Sequence, residues 1–232
     1  TVVACSKSIR NKKVVGAAQS FIIRNGVELN GIEGLDSNNK AKARIALNLP
    51  ENSRLFVYAG PLIARKNPEF LIRTFLSRSS TSDTLCLLGG GPLLSACRQL
   101  VGNNRNIFLP GEVSNVISYF RAADLFVSAS CAEGMPNAVL EALATSLPVI
   151  LSDIPAHREI LQVCPDAGWL YTLGDQTALC KLLDHVTNTA EIGRIARGSA
   201  EDHFSARSMS EAYQQLYQNS FQRYCIEHKC EN

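Results

Sequence analysis

No run of about 18 uncharged apolar residues, the length of a membrane-spanning helix, occurs in this chain of 232 residues. No G-x-x-x-x-G-K-[ST] run occurs, which disfavours a P-loop nucleotidase, and no G-x-S-x-G elbow, which disfavours the usual α/β-hydrolase. There is no Asp-x-Asp pair to chelate a cation, no internal repeat and no low-complexity tract. Net charge is only +2, without the basic stripe of a dedicated nucleic-acid binder. No signal peptide opens the chain, and the expected compartment is a reducing cytoplasm; the beginning itself reads as truncated. Cysteine, by contrast, is plentiful: Cys5, Cys86, Cys97, Cys131, Cys164, Cys180, Cys225 and Cys230. Most lie in apolar runs, where Cys behaves as a small hydrophobe. Cys225 and Cys230 flank His228, a weak metal pattern against the plain reading of a polar tail.

Hydrophobic residues make up 46% of the chain and charged residues 19%, enough for a substantial core. Short β-rich runs at 2–5, 21–24, 55–59, 85–88, 107–109, 125–129, 149–151 and 168–171 predict strands. Helical periodicity over 40–47, 68–77, 93–100, 116–122, 137–145, 156–161 and 177–186 predicts helices between them. This alternation implies an α/β fold with a doubly wound, Rossmann-like parallel sheet covered on both faces. The polar stretch 30–39 reads as a linker. From Glu191 onward the pattern is helical, and Tyr213, Leu216, Tyr217 and Phe221 form a stripe. That stripe either packs on its own domain or reaches toward one outside this chain.

The richest stretch is Ala132-Glu133-Gly134-Met135-Pro136-Asn137-Ala138-Val139-Leu140-Glu141, an E-x7-E pattern. A strand runs into a glycine turn and then a helix start, and the first amides of a helix form an anion site. Carboxylates beside an anion site suit hydroxyl recognition, so the stretch points to a ligand carrying both phosphate and sugar. Taken alone, Glu141 reads equally well as a solvated helix residue, and Glu133 as a favourable charge at a helix N-terminus. Gly60 to Pro68 follows another strand, where Arg65 and Lys66 either hold a diphosphate or form a solvated basic loop. Gly89-Gly90-Gly91-Pro92 carries half a dinucleotide fingerprint, with Leu94 where a third glycine belongs; a tight turn with Pro92 starting the helix is the simpler reading. Asp153 reads as a helix cap, Glu159 as a surface group, and His157 as a structural or exposed loop residue with no catalytic role.

Five blocks together resemble a known family: GPLIARKNPEFLI (60–72), LLGGGP (87–92), IFLPGEVSNV (107–116), ADLFVSASCAEGMPNAVLEALATSLPVILSDIPAHREIL (123–161) and SMSEAYQQLYQ (208–218). They are similar to the carboxyl-terminal, donor-binding half of retaining GT-B glycosyltransferases, and most of all to the "glycosyl transferases group 1" family. Members often build polysaccharides, capsules, lipopolysaccharides and glycolipids. CSKSIRNKKVVG (5–16) and IIRNGVEL (22–29) resemble the end of that family's amino-terminal domain and its linker. The resemblance implies a remnant of that domain at 1–29, a linker and leading helix at 30–53, a donor-binding domain at 54–205, and a C-terminal helix and tail at 206–232.

By the same resemblance, Lys66 and Glu133 are the catalytic candidates, Lys66 on the donor diphosphate and Glu133 near the anomeric carbon. The donor site further comprises Gly60, Arg65, Leu109, Gly134, Met135, Pro136, Asn137 and Glu141, with Glu141 on the ribose hydroxyls and 109–113 beside the base. Pro61 stands where the family commonly has Arg. No cofactor or metal is expected; the substrate is a nucleotide sugar, with UDP-linked hexoses or N-acetylhexosamines favoured. Expected partners are an acceptor sugar or lipid-linked sugar and an amino-terminal acceptor domain outside this chain, through which the inner membrane face would be met. Alternatives are a nucleotide-sugar-binding module that is inactive without a separate acceptor domain, and a GT-B-like sugar-nucleotide epimerase.

Overall fold

The computed structural model describes residues 2–7, 9, 20–29, 37–78, 82–187 and 189–228. The small strands β1 (Val2–Ala4) and β2 (Ser20–Ile22) pair in parallel. Then follow α1 (Ser37–Ala46), β3 (Leu55–Ala59), α2 (Pro68–Leu76), β4 (Thr84–Leu88), α3 (Leu94–Val101), β5 (Ile107–Gly111) and α4 (Val116–Ala122). The chain continues through β6 (Leu125–Ser128), α5 (Asn137–Ala144), β7 (Val149–Ser152), α6 (Pro155–Val163), β8 (Gly168–Tyr171), α7 (Gln176–His185), α8 (Thr189–His203) and α9 (Ala206–His228).

Strands β3 to β8 form one parallel sheet in the order β5-β4-β3-β6-β7-β8. Every residue of β3, β4, β6 and β7 is buried, which is why these strands read as unbroken apolar runs rather than alternating ones. The two-residue pleat sorts them to opposite faces. Leu55, Val57 and Ala59 join the core under α4, α5, α6 and α8, through Phe120, Val139, Leu140, Ile160 and Ala196. Phe56 and Tyr58 point the other way, into the core under α2, α3 and α7, through Leu71, Ile72, Cys97 and Leu179. Each large side chain so buried contributes about 1.5–3 kcal/mol. Cys86, Cys97 and Cys164 are fully buried among these groups, and burial alone pushes the Cys86 thiol up to about 12.

Chain order reverses between β3 and β6, and ligands of such sheets sit beyond the carboxyl ends of the strands at that reversal. Three loops crowd there. Gly60 N–H donates to Leu88 O at 3.0 Å, Leu62 N–H to Gly90 O at 2.7 Å, and Gly89 N–H to Gly111 O at 2.8 Å. At Gly89, with φ +137°, a Cβ would lie 2.0 Å from Gly60 O, so the glycine run serves close loop packing. Helix α3 starts after Leu93, two residues past Pro92, so the proline lies in the turn and does not open the helix.

Some details differ from the sequence expectations. Ser37 to Asn39 begin α1 rather than ending a linker; residues 30–36 of that linker lie outside the described residues, as do most of 5–16 and Cys230. Asp153 does not cap α6: Ile154 is the N-cap, and Asp153 accepts from Arg158 Nη2 at 2.7 Å. On α9 the apolar stripe divides, with Leu216 buried while Tyr217 and Phe221 are exposed. Among the described residues, no helix is long and apolar enough to cross a membrane.

Candidate functional site

The loop after β3 closes into a 3-10 turn, Ala64–Lys66, stopped by Asn67 in the left-handed conformation at φ 54°. Asn67 and Pro68 then switch the chain into α2, with Pro68 in the first turn where its missing N–H costs nothing. This turn aims two cations at the loop after β6. Lys66 Nζ lies 2.5 Å from Glu133 Oε1, and Arg65 Nη1 lies 3.0 Å from Glu133 Oε2. Arg65 Nη1 also donates to Ala132 O at 2.7 Å, and Arg65 O accepts from Cys131 N–H at 2.8 Å. The basic loop is therefore stitched to the acidic one, with Lys66 largely buried and Arg65 still half exposed to water.

Burial of Glu133 by itself raises its pKa. Hydrogen bonds from Lys66 and Ser130, with the Coulombic pull of Lys66 and Arg65, outweigh that and hold the carboxyl below its ordinary range. Ser128 Oγ in turn donates to Ser130 Oγ at 3.2 Å. Eight residues on, Glu141 sits in α5 with its pKa raised by burial. Among the described residues no hydrogen bond or ion pair reaches the Glu141 carboxylate. Between the two carboxylates, Gly134 turns, Met135 is buried in the core, and Pro136 is the N-cap of α5. Proline brings no side-chain acceptor to that first turn, so the helix start is open to an external anion.

Gly60 stands at the end of β3 with φ +149°, beside the Tyr58 hydroxyl and the Lys66 stem. Next to it lies a cavity of about 330 Å³, lined by Pro61, Gly90, Gly91, Glu112, Val113 and Val116 among others. Leu109 packs partly buried against the α2/α3 core instead of lining this cavity. The structure thus brings Gly60, Arg65, Lys66 and Glu133 together at the reversal point, with Gly134 to Asn137 and Glu141 leading on along α5.

Several residues the sequence left aside also belong to this region. His157 is helical, on α6, and has no exposed surface. Burial pushes its pKa down to about 4, and its Nδ1 pairs with Ser152 O at 2.7 Å, so the ring is neutral above that pH. Glu159 is buried rather than a surface group. Its carboxylate accepts from Lys7 N–H at 2.9 Å and lies 3.4 Å from Arg24 Nε, clasping two passes of the amino-terminal segment. The spacing of 152 residues in the Lys7 contact leaves no local sequence signal for it.

The sequence profile of the family described as "Glycosyl transferases group 1" matches residues 53–188. The chain belongs to this family. Among its glycosyltransferase relatives, uncharacterized glycosyltransferase MJ1059 of Methanocaldococcus jannaschii is 31% identical over 166 residues, covering 69% of this chain and 38% of that protein. The putative teichuronic acid biosynthesis glycosyltransferase TuaC of Bacillus subtilis (strain 168) is 33% identical over 156 residues, covering 66% of this chain and 38% of its own. These two curated relatives are matched over well under half of their length. In fold, the chain is similar to Anabaena Alr3699/HepE, solved in complex with UDP and glucose. That match has a TM-score of 0.83 at 18% identity, covering 94% of this chain and 63% of the other. The shared architecture is the Rossmann-like half of a GT-B fold.

Proposed function

We propose that this chain holds the donor in a transfer of sugar from a nucleoside diphosphate sugar to an acceptor hydroxyl, with retained configuration. The carrying observation is the convergence of Lys66, Arg65 and Glu133 beside the open N-terminus of α5 at the sheet's reversal point. In this reading the diphosphate lies between the two cations and the helix start. Glu133 accepts from sugar hydroxyls near the anomeric carbon, and Glu141 accepts from the ribose. The base enters the cavity lined by Gly90, Glu112 and Val113.

The bond from the anomeric carbon to the diphosphate oxygen breaks as the acceptor oxygen approaches the same face. A donor phosphate oxygen takes the acceptor proton, so this chain supplies no general base; buried His157 fits that role poorly. Negative charge grows on the departing diphosphate, and Lys66, Arg65 and the amides of α5 stabilise it more in the transition state than before it. Pro61 brings no cation to this site, and Arg65 takes the part of the family's missing arginine.

The donor base is read as uracil and the sugar as a hexose or N-acetylhexosamine, supported by the UDP and glucose in the HepE complex. Polysaccharide or glycolipid synthesis is the proposed setting, the former supported by the teichuronic acid relative, and the cytoplasm is the proposed compartment. The acceptor, a sugar or lipid-linked sugar, is held by an amino-terminal domain beyond this chain, and residues 54–205 act as the donor-binding unit. Two experiments test the reading. Calorimetry of UDP-, GDP- and ADP-sugars should show saturable binding of at least one, strongest for UDP-sugars. Lys66→Ala in the full-length enzyme should abolish turnover, and near-normal turnover would refute the assignment.

A further inference from the structure

Asn25 lies outside the sheet domain, yet its side chain reaches the start of α5. Its Nδ2 donates to Asn137 Oδ1 at 2.8 Å and to Met135 O at 3.4 Å. A primary amide has two N–H groups, and here two acceptors of one turn face them. Asn25 is also fixed from behind. Val27 N–H donates to Phe204 O at 2.7 Å, and Ala206 N–H donates to Val27 O at 2.8 Å, bridging Val27 to the break between α8 and α9. Gly26 permits this approach, because a Cβ there would lie 2.4 Å from Ser205 O. One residue earlier, Arg24 meets buried Glu159. The segment 24–27 is therefore held to α6 and to the α8/α9 break, with one amide extended to the turn between Glu133 and α5. On the other side of that turn, a Cβ on Gly134 would lie 3.4 Å from Cys5 Sγ and 3.5 Å from Ile9.

We propose that Asn25 is a positioning residue of the donor site. It sets the angle at which the Met135–Asn137 turn presents the α5 amides to the diphosphate, and it does not touch the reacting atoms. The inference rests on the donor-site reading and adds to it that the segment crossing from the amino-terminal side is part of the site. Donor affinity therefore depends on how that crossing segment sits.

The test is isothermal calorimetry of this chain with UDP-glucose, on the wild type, Asn25→Asp, Asn25→Ala, Asn137→Ala and the Asn25→Ala/Asn137→Ala double variant, with melting curves alongside. Asn25→Asp keeps the shape but replaces two donors by an acceptor facing two oxygens. It should weaken binding about tenfold at unchanged stoichiometry. Asn25→Ala should weaken it about fivefold, and the double variant should be no weaker than the worse single one, because the two side chains act as a unit. Unchanged affinity in Asn25→Asp overturns the proposal. So does full additivity in the double variant, or a loss of binding stoichiometry at constant Kd, which would mark a residue needed only for folding. If the wild type binds neither UDP-glucose nor any GDP- or ADP-sugar, the donor-site reading fails first and this inference falls with it.

Discussion

Replacing Glu133 by Gln should separate UDP from UDP-glucose, which adds the sugar and carries about one negative charge fewer on its diphosphate. In the unliganded site both oxygens of Glu133 hold cations, Lys66 at 2.5 Å and Arg65 at 3.0 Å. A diphosphate arriving beside Lys66 competes with that carboxylate and is repelled by it. Two unit charges 4 Å apart interact by about 4 kcal/mol at an effective dielectric of 20. Arg65 is 49% exposed, so water screens its share, whereas Lys66 at 14% keeps most of its own. Screening by water and salt in this partly open site reduces the Coulomb figure to roughly 1.4 kcal/mol, or tenfold, in favour of UDP binding to the Gln variant. UDP-glucose, with less charge on its diphosphate, gains less of that relief and loses an ionised acceptor for its hydroxyls, and hydrogen bonds to charged groups contribute about 1.5–3 kcal/mol against 0.5–1.5 for neutral ones. Calorimetry should therefore show UDP binding about tenfold tighter, with UDP-glucose unchanged or weaker. Equal shifts for both ligands would refute the placement of the sugar at Glu133, and weaker UDP binding would refute the placement of the diphosphate beside Lys66 and Glu133.

Arg44 is 5% exposed and donates to Ala122 O at 2.9 Å, to Glu51 O and Ser53 O at 2.7 Å each, and to Asp124 Oδ2 at 2.7 Å. Arg44→Met strands these groups and should cost about 3–5 kcal/mol, read as a fall in melting temperature of roughly 10 °C; a fall under about 2 °C would count against this accounting. His157 takes up its proton near pH 4 when folded and near its ordinary 6.5 when unfolded, so the unfolded chain binds more protons in that window. Stability should accordingly rise with pH between these values, by about 3 kcal/mol at most, and His157→Asn should flatten that slope above pH 4.5; an unaltered slope refutes it. Glu141→Gln should raise the melting temperature of the unliganded protein at pH 7, because the folded-state pKa is raised and ionisation there opposes folding. It should also weaken nucleotide-sugar binding, and no gain in stability would argue that water already serves this carboxylate.

The sheet was readable because its strands carry a strong local signal. Leu55 to Ala59 and Leu125 to Val127 are hydrophobic at every position, and the helices between them repeat at the helical period. The turn from Glu133 into α5 was readable for the same reason, since strand, glycine, proline and helix follow one another in order. What could not be read were partners set by strand order. Lys66 and Glu133 are 67 residues apart, and only the adjacency of β3 and β6 makes them neighbours. Taken by itself, a basic loop after a strand is compatible with solvent. Asn25 and Asn137, 112 residues apart, carry still less signal, and nothing local distinguishes buried Glu159 from a surface glutamate. His157 falls inside the helix expected over 156–161, and nothing local distinguishes its full burial on α6 from exposure.

The two glutamates of the E-x7-E stretch have the same chemistry and opposite surroundings, and the difference is consistent with the separate roles proposed for them. Pairs of titratable groups whose environments push their pKa values apart usually divide roles. In the unliganded site Glu133 is desolvated but held ionised by Lys66, Arg65 and Ser130. In the proposed arrangement an ionised acceptor beside the anomeric carbon also favours the positive charge that develops there as the diphosphate leaves. Glu141 is desolvated without a cation among the described residues, so its ionised form is costly until hydroxyl donors reach it. A ribose diol supplies two such donors and no charge, which relieves Glu141 without competing for Lys66. A second phosphate at that position would meet an uncompensated carboxylate and be repelled. The proposed order, diphosphate at Lys66, sugar at Glu133 and ribose at Glu141, gives each of the two carboxylates hydroxyl donors and places no phosphate against the uncompensated one.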